Sequence, residues 1–120
     1  MKIAIDSPGL YYASLEGLVG PVQMLLDKGA DVNAQGGYYG NALQVASSRG
    51  YEKVVQILLD KEADVNARGS FYNFQAGRDE EDVTPLYTTS FEGYEKVVQM
   101  LLEKNADVNA QGGDQRGGSG

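Results

Sequence analysis

The stretch LYTTSFEGYEKVVQMLLEKNADVNA, Leu86–Ala110, ends in five residues, ADVNA, that the chain has already used at Ala30–Ala34 and Ala63–Ala67. Aligned at its first leucine, it matches LYYASLEGLVGPVQMLLDKGADVNA (Leu10–Ala34) and LQVASSRGYEKVVQILLDKEADVNA (Leu43–Ala67) without a gap. The first two copies lie 33 residues apart and the second two 43. A period in this range is the signature of stacked repeats, and it takes precedence over local propensity in deciding the fold.

Each copy reads as two short helices. In GYEKVVQILLDK, Val54, Val55, Leu58 and Leu59 share one helical face, opposite Glu52, Lys53, Gln56 and Asp60. Val97, Val98, Leu101 and Leu102 repeat the pattern, as do Pro21, Val22, Leu25 and Leu26. Pro21 is tolerated there because the first turn of a helix has no use for its missing N–H. The preceding helix of each copy is about two turns long and carries small pairs, Ala13–Ser14, Ala46–Ser47 and Thr89–Ser90, which let helices approach closely. Gly17, Gly50 and Gly93 separate the two helices where a left-handed turn is expected. Neither helix could bury its stripe alone. Each copy must be covered by the next, which is why the apolar residues repeat.

TPLY (Thr84–Tyr87), EGYEKVVQMLL (Glu92–Leu102) and NADVNA (Asn105–Ala110) resemble the ankyrin repeat, whose pattern joins T-P-L-H, an interhelical glycine, V-V-x-x-L-L and G-A-D-V-N-A. The style of QGGYYGNAL is similar to that of fungal-type ankyrin arrays. The resemblance implies an all-α solenoid of three helix-turn-helix repeats joined by hairpin fingers, the second finger enlarged. Its expected bounds are 1–114, with repeats at about 7–39, 40–72 and 83–114, followed by a flexible Gly-rich tail at 115–120. The chain departs from the family at the first histidine, replaced by Tyr11, Gln44 and Tyr87, and at the second, replaced by Leu18, Tyr51 and Tyr94. Hydrogen bonds made by those histidines must come from other groups or be lost. The glycine before A-D-V-N-A survives as Gly29 but becomes Glu62 and Asn105. A left-handed backbone at Glu62 would cost on the order of 1 kcal/mol.

The ten extra residues lie near Gly69–Arg78, since DEEDVT at Asp79–Thr84 already approximates the family's D-x-x-G-x-T with Asp82 at the glycine. They contain Phe71, Tyr72 and Phe74. The segment reads either as a lengthened surface loop, which closure entropy tolerates, or as an aromatic finger offered to a partner. Deleting it is expected to preserve the helices and to change stability by less than about 2 kcal/mol.

The chain has 120 residues, no cysteine, no histidine and a formal charge of −7. Disulfides, thiolate or imidazole metal sites and a Ser-His-Asp triad are thereby excluded. The negative charge argues against nucleic acid and anionic membrane. No apolar run approaches the length of a membrane span, so an intracellular, cytoplasmic protein is expected. The acidic run Asp79–Asp82 lacks the spacing of a calcium loop, and Gly36–Gly40 lacks a phosphate-binding lysine. No catalytic, cofactor or metal residue is assigned, and no enzyme activity is expected.

The resemblance implies a protein-interaction scaffold that binds an unidentified protein through its concave face and finger tips. Carried over by position, the contacts are Tyr38, Tyr39, Glu80, Glu81 and Val83 on the fingers, and Tyr12, Leu15, Val45, Ser48, Thr88 and Phe91 on the first helices. The inserted aromatics Phe71, Tyr72 and Phe74 join them. The alternative is a structural or self-assembling spacer within a larger multidomain protein, in which uncapped ends permit weak head-to-tail association. The terminal QGGDQRGGSG reads as the start of a further hairpin ending in a linker-like GGSG, as in a piece of a longer array.

Overall fold

The computed structural model describes residues 7–110. The expected tail at 115–120, the last residues of the third repeat and the extreme ends expected to be uncapped lie outside them. Among the described residues six helices appear in pairs: α1 (Ser7–Leu15) with α2 (Val19–Asp27), α3 (Ala42–Ser48) with α4 (Glu52–Asp60), and α5 (Pro85–Glu92) with α6 (Glu95–Glu103). The first helices stack α1–α3–α5 and the second helices stack α2–α4–α6, giving two layers.

The burial of the second helices shows how the repeats hold each other. In α4 all four stripe residues, Val54, Val55, Leu58 and Leu59, are buried. In α2 only Val22 and Leu26 are, and in α6 only the other half of the stripe, Val97 and Leu101, together with Met100. One half of each stripe therefore faces the preceding repeat and the other half the following one. Each buried aliphatic side chain contributes about 1.5–3 kcal/mol, and none of that is available to an isolated pair. The ion pair of Lys61 with Asp27 at 3.5 Å, which links stacked repeats, is solvent-exposed and adds little.

Local signals end and start the helices where the residue types demand. Thr84 accepts a hydrogen bond from the Tyr87 N–H at 3.2 Å, with Pro85 in the first turn. Asn41 takes the same part at α3, accepting from the Gln44 N–H at 2.8 Å. Gly17, Gly50 and Gly93 have φ of 70°, 70° and 79°. The rings of Tyr51 and Tyr94 lie over Gly17 and Gly50, so near that a Cβ there would come within 3.0 and 3.1 Å of them.

The recurrence of ADVNA has its own reason. The Asp31 carboxylate accepts from the Asn33 N–H at 2.9 Å, and the Asn33 side-chain oxygen accepts from the Asp64 N–H of the next repeat at 2.7 Å. Asp64 and Asn66 repeat the step, with Asn66 accepting from the Asp107 N–H at 2.9 Å, and Asp107 in turn accepts from Asn109. A ladder of Asp turns and Asn cross-links thus runs along the stack. It satisfies loop N–H groups that no helix or sheet reaches. Just before it, Glu62 and Asn105 have φ of 70° and 69°, alongside Gly29 at 99°.

The expectation of an all-α chain is corrected between α4 and α5. There β1 (Gly69–Asn73) pairs antiparallel with β2 (Arg78–Val83), with Phe71 opposite Glu80 and Asn73 opposite Arg78. A bulge gives β2 one extra residue, and Asp82 beside it has φ of 59°, the conformation for which the family uses glycine. The strands form because residues alternate: Phe71 and Asn73 point inward and Tyr72 outward. Asn73 holds the turn by accepting from the Ala76 N–H at 3.0 Å and donating to the Glu80 carboxylate at 3.1 Å. Phe71 is 1% exposed and meets the rings of Tyr87 and Phe91 at centroid distances of 6.2 and 6.0 Å. This segment is packed against α5.

Candidate functional site

The positions vacated by the first histidine connect the helices to the fingers. The Tyr11 hydroxyl accepts the Tyr39 N–H at 2.9 Å. The buried Gln44 amide donates to the Ser70 carbonyl at 3.2 Å and to the Thr88 hydroxyl at 2.7 Å, joining the hairpin and α5 to α3. The hairpin also leans on the first finger: the Ser70 N–H donates to the Tyr39 carbonyl at 3.0 Å, and the Tyr38 hydroxyl donates to the Asp79 carboxylate. At Gly69 a Cβ would fall 1.9 Å from the Tyr39 carbonyl oxygen, so only glycine permits this approach.

These ties fix the wall of a groove of about 480 Å³. Tyr72 and Phe74, in edge contact at 4.8 Å, stand on the hairpin side, with Tyr39 from the first finger. Across from them lie the ends of α3 and α5, with Arg49 and Glu92, and the ring residues Tyr51 and Tyr94 just beyond the turns. The Arg49 guanidinium lies near the Tyr39 and Tyr51 phenols. Burial, and after it the charge of Glu92, holds the Tyr94 phenol above its ordinary pKa, so it keeps its proton. The groove is therefore lined by aromatic side chains, three of them phenols besides Tyr72, with one cation and one carboxylate. Among the described residues no group of three acidic side chains is gathered to hold a metal ion, and no helix is long and apolar enough to cross a membrane.

The groove collects Tyr39, Ser48, Phe71, Tyr72 and Phe74 from the positions expected to meet a partner. Phe74 is the most open of them at 83% exposure, and Phe71 is only the buried floor. Four other candidates have enclosed side chains. Val45 and Val83 are fully buried, Thr88 is spent on Gln44, and Glu80 is turned inward to Asn73 and Arg78. Residues with this little surface shape a face without touching what lies on it. Glu81 is exposed on β2, Tyr38 is half exposed, Leu15 is half-buried and Tyr12 stands exposed on α1 against the Tyr11 ring. Phe91 lines a separate shallow depression of about 380 Å³ with Leu86, Tyr87 and Val108.

Arg49, Tyr51, Glu92 and Tyr94 were not anticipated. Tyr51 and Tyr94 were legible only as replacements for a family histidine, and the turn position before the glycine varies as Glu16, Arg49 and Glu92 without a pattern. Their meeting with the hairpin depends on the ring stacking over the glycines.

Comparison with protein-family models matches residues 10–112 to ankyrin repeats in three copies. Comparison with curated proteins gave no significant match. The chain belongs to the ankyrin-repeat family, whose members are in general non-catalytic modules of protein–protein interaction.

Proposed function

We propose that this ankyrin-repeat chain is a non-catalytic scaffold that binds a protein partner along the groove between the hairpin and the ends of the first helices. The hairpin is read as an enlarged second finger, and the groove as part of the concave face. The observation that carries this is the pair of exposed aromatics Tyr72 and Phe74, which line a groove of about 480 Å³ together with Tyr39, Tyr51 and Tyr94. Solvent-exposed aromatics gathered at one place are the usual anchors of interfaces. The contacting residues are then Tyr39, Ser48, Tyr72 and Phe74, with Tyr12, Leu15, Tyr38, Glu81 and Phe91 at the margins. A photo-crosslinking amino acid placed at Phe74, and separately at the exposed Gln56 of α4, tests this in extracts of the source organism. Adducts from position 74 and none from position 56 are expected. Equal labelling, or labelling from position 56 alone, would overturn the assignment.

A second reading, a self-associating spacer, is favoured by one feature. Leu86, Phe91 and Val108 line an open apolar depression on the third repeat, where Leu102 is also exposed. Sedimentation at increasing concentration separates the two, since only the spacer gains mass.

A further inference from the structure

We infer that the chain assembles head to tail, the outer face of its third repeat stacking on the outer face of the first repeat of a second copy. This rests on the self-associating reading and names the two faces that meet; neither Tyr72 nor Phe74 takes part. Residues at the same place in successive copies can be compared, which sets each outer face beside the stacked faces within the chain. Val22 and Leu26, like Val55 and Leu59, are buried where the next repeat stacks. Their equivalents in the third repeat, Val98 and Leu102, are half-buried and exposed. Ser14 and Ser47 are buried and Ser90 is exposed in the same way. The first repeat lacks cover on its other side. Val45 and Thr88 are fully buried, whereas Tyr12 at that position is 58% exposed. Met100 is 6% exposed and its equivalent Met24 is 66% exposed.

Three contacts that join the repeats stop at these faces with one half in place on each. The rings of Tyr51 and Tyr94 lie over Gly17 and Gly50, but among the described residues nothing comes within 4 Å of a Cβ built at Gly93. Leu18, which holds the tyrosine position in the first repeat, is exposed and has no glycine to cover. The asparagine ladder accepts from Asp64 and Asp107 and ends at Asn109. The Asn109 side-chain oxygen and the Asp31 N–H, the next acceptor and the next donor in that series, have no partner among the described residues. Asp27 pairs with Lys61 across the first step, and the corresponding groups Glu103 and Lys28 are both exposed.

What each face lacks is therefore what the other presents, in the register the chain already uses twice. A second copy laid on in that register covers the apolar half-stripe, sets Leu18 over Gly93, continues the ladder from Asn109 to Asp31 and brings Lys28 to Glu103. The two faces differ, so the contact is heterologous and each added copy leaves the same two faces open. Assembly then continues past a pair. The copies each carry −7, a repulsion that salt of about 0.15 M screens beyond ~8 Å, while the stacking contact itself is mainly apolar.

The test is sedimentation equilibrium of the 120-residue chain, from about 10 micromolar to about 1 millimolar in about 0.15 M salt. The weight-average mass should rise past that of two chains. Leu18→Arg blocks the face of the first repeat and Leu102→Arg that of the third, both at exposed positions, with unchanged helical circular dichroism verifying the fold. Each variant alone should stay a monomer, its association weakened about tenfold or more. Mixed in equal amounts, the two should form pairs and go no further, since each keeps the face that the other has lost. If the parent chain gains mass but either variant still associates by itself, or the mixture forms no pairs, the head-to-tail contact is wrong and the self-associating reading stands. If the parent chain gains no mass, both fall.

Discussion

Phe71 and Phe74 lie three residues apart on the hairpin and should behave as opposites. Phe71 is 1% exposed and packs against Tyr87 and Phe91, whereas Phe74 is 83% exposed. Truncating a buried phenylalanine removes its transfer free energy and leaves a cavity, about 3–5 kcal/mol together. A two-stranded hairpin is only marginally stable by itself, so without Phe71 it can detach as a unit. Detachment caps the loss at the docking free energy, and we expect Phe71→Ala to cost about 2–4 kcal/mol. Phe74→Ala should stay within about 0.5 kcal/mol. Urea unfolding followed by far-ultraviolet circular dichroism gives both values, and native-state hydrogen exchange should show faster exchange across the hairpin in the first variant alone. Equal midpoints for the two variants would refute the packing argument. The same reasoning revises the expectation for deleting residues 69–78. The shorter loop gains less than about 1 kcal/mol, while the burial of Phe71 and the Gln44–Ser70 hydrogen bond are both lost. The deletion should keep the helices yet destabilise by more than about 2 kcal/mol.

Glu62→Gly should raise stability by about 0.5–1 kcal/mol, because Glu62 sits at φ of 70° where glycine is unstrained; an unchanged or lower denaturation midpoint would contradict this. Asn66→Ala breaks the ladder step to the Asp107 N–H and should cost about 1 kcal/mol by urea titration, with Asn33→Ala similar and the pair close to additive. The phenols of Tyr11, Tyr38 and Tyr94 are held above the ordinary value of 10.0, each chiefly by burial, with Asp79 adding to Tyr38 and Glu92 to Tyr94. The folded chain then keeps protons that the unfolded chain releases, so this contribution is intact below about pH 10 and is lost as pH rises further. Thermal midpoints should fall above that pH, and less steeply in Tyr38→Phe; a flat alkaline profile would count against it.

The repeat, and therefore the helices, could be read from residue types alone. A stripe such as Val54, Val55, Leu58 and Leu59 has one way to be buried, and three copies in register state what buries it. The turns at Gly17, Gly50 and Gly93 and the left-handed backbone at Glu62 were legible for the same reason, since a local conformation restricts the residues that adopt it. The reason for ADVNA was not, because its asparagine acts on a backbone N–H 31 residues away in one step and 41 in the next. The inserted segment misled for a similar cause. Its aromatics alternate between a core and a groove, and which side each takes is set by pairing with Arg78–Val83 and by the approach of Gly69 to Tyr39. The groove exists only in the tertiary structure. Arg49 lies near Tyr39 and Tyr51 because α3, the first finger and the tyrosine beyond the turn converge there, and no periodicity along the chain encodes that convergence.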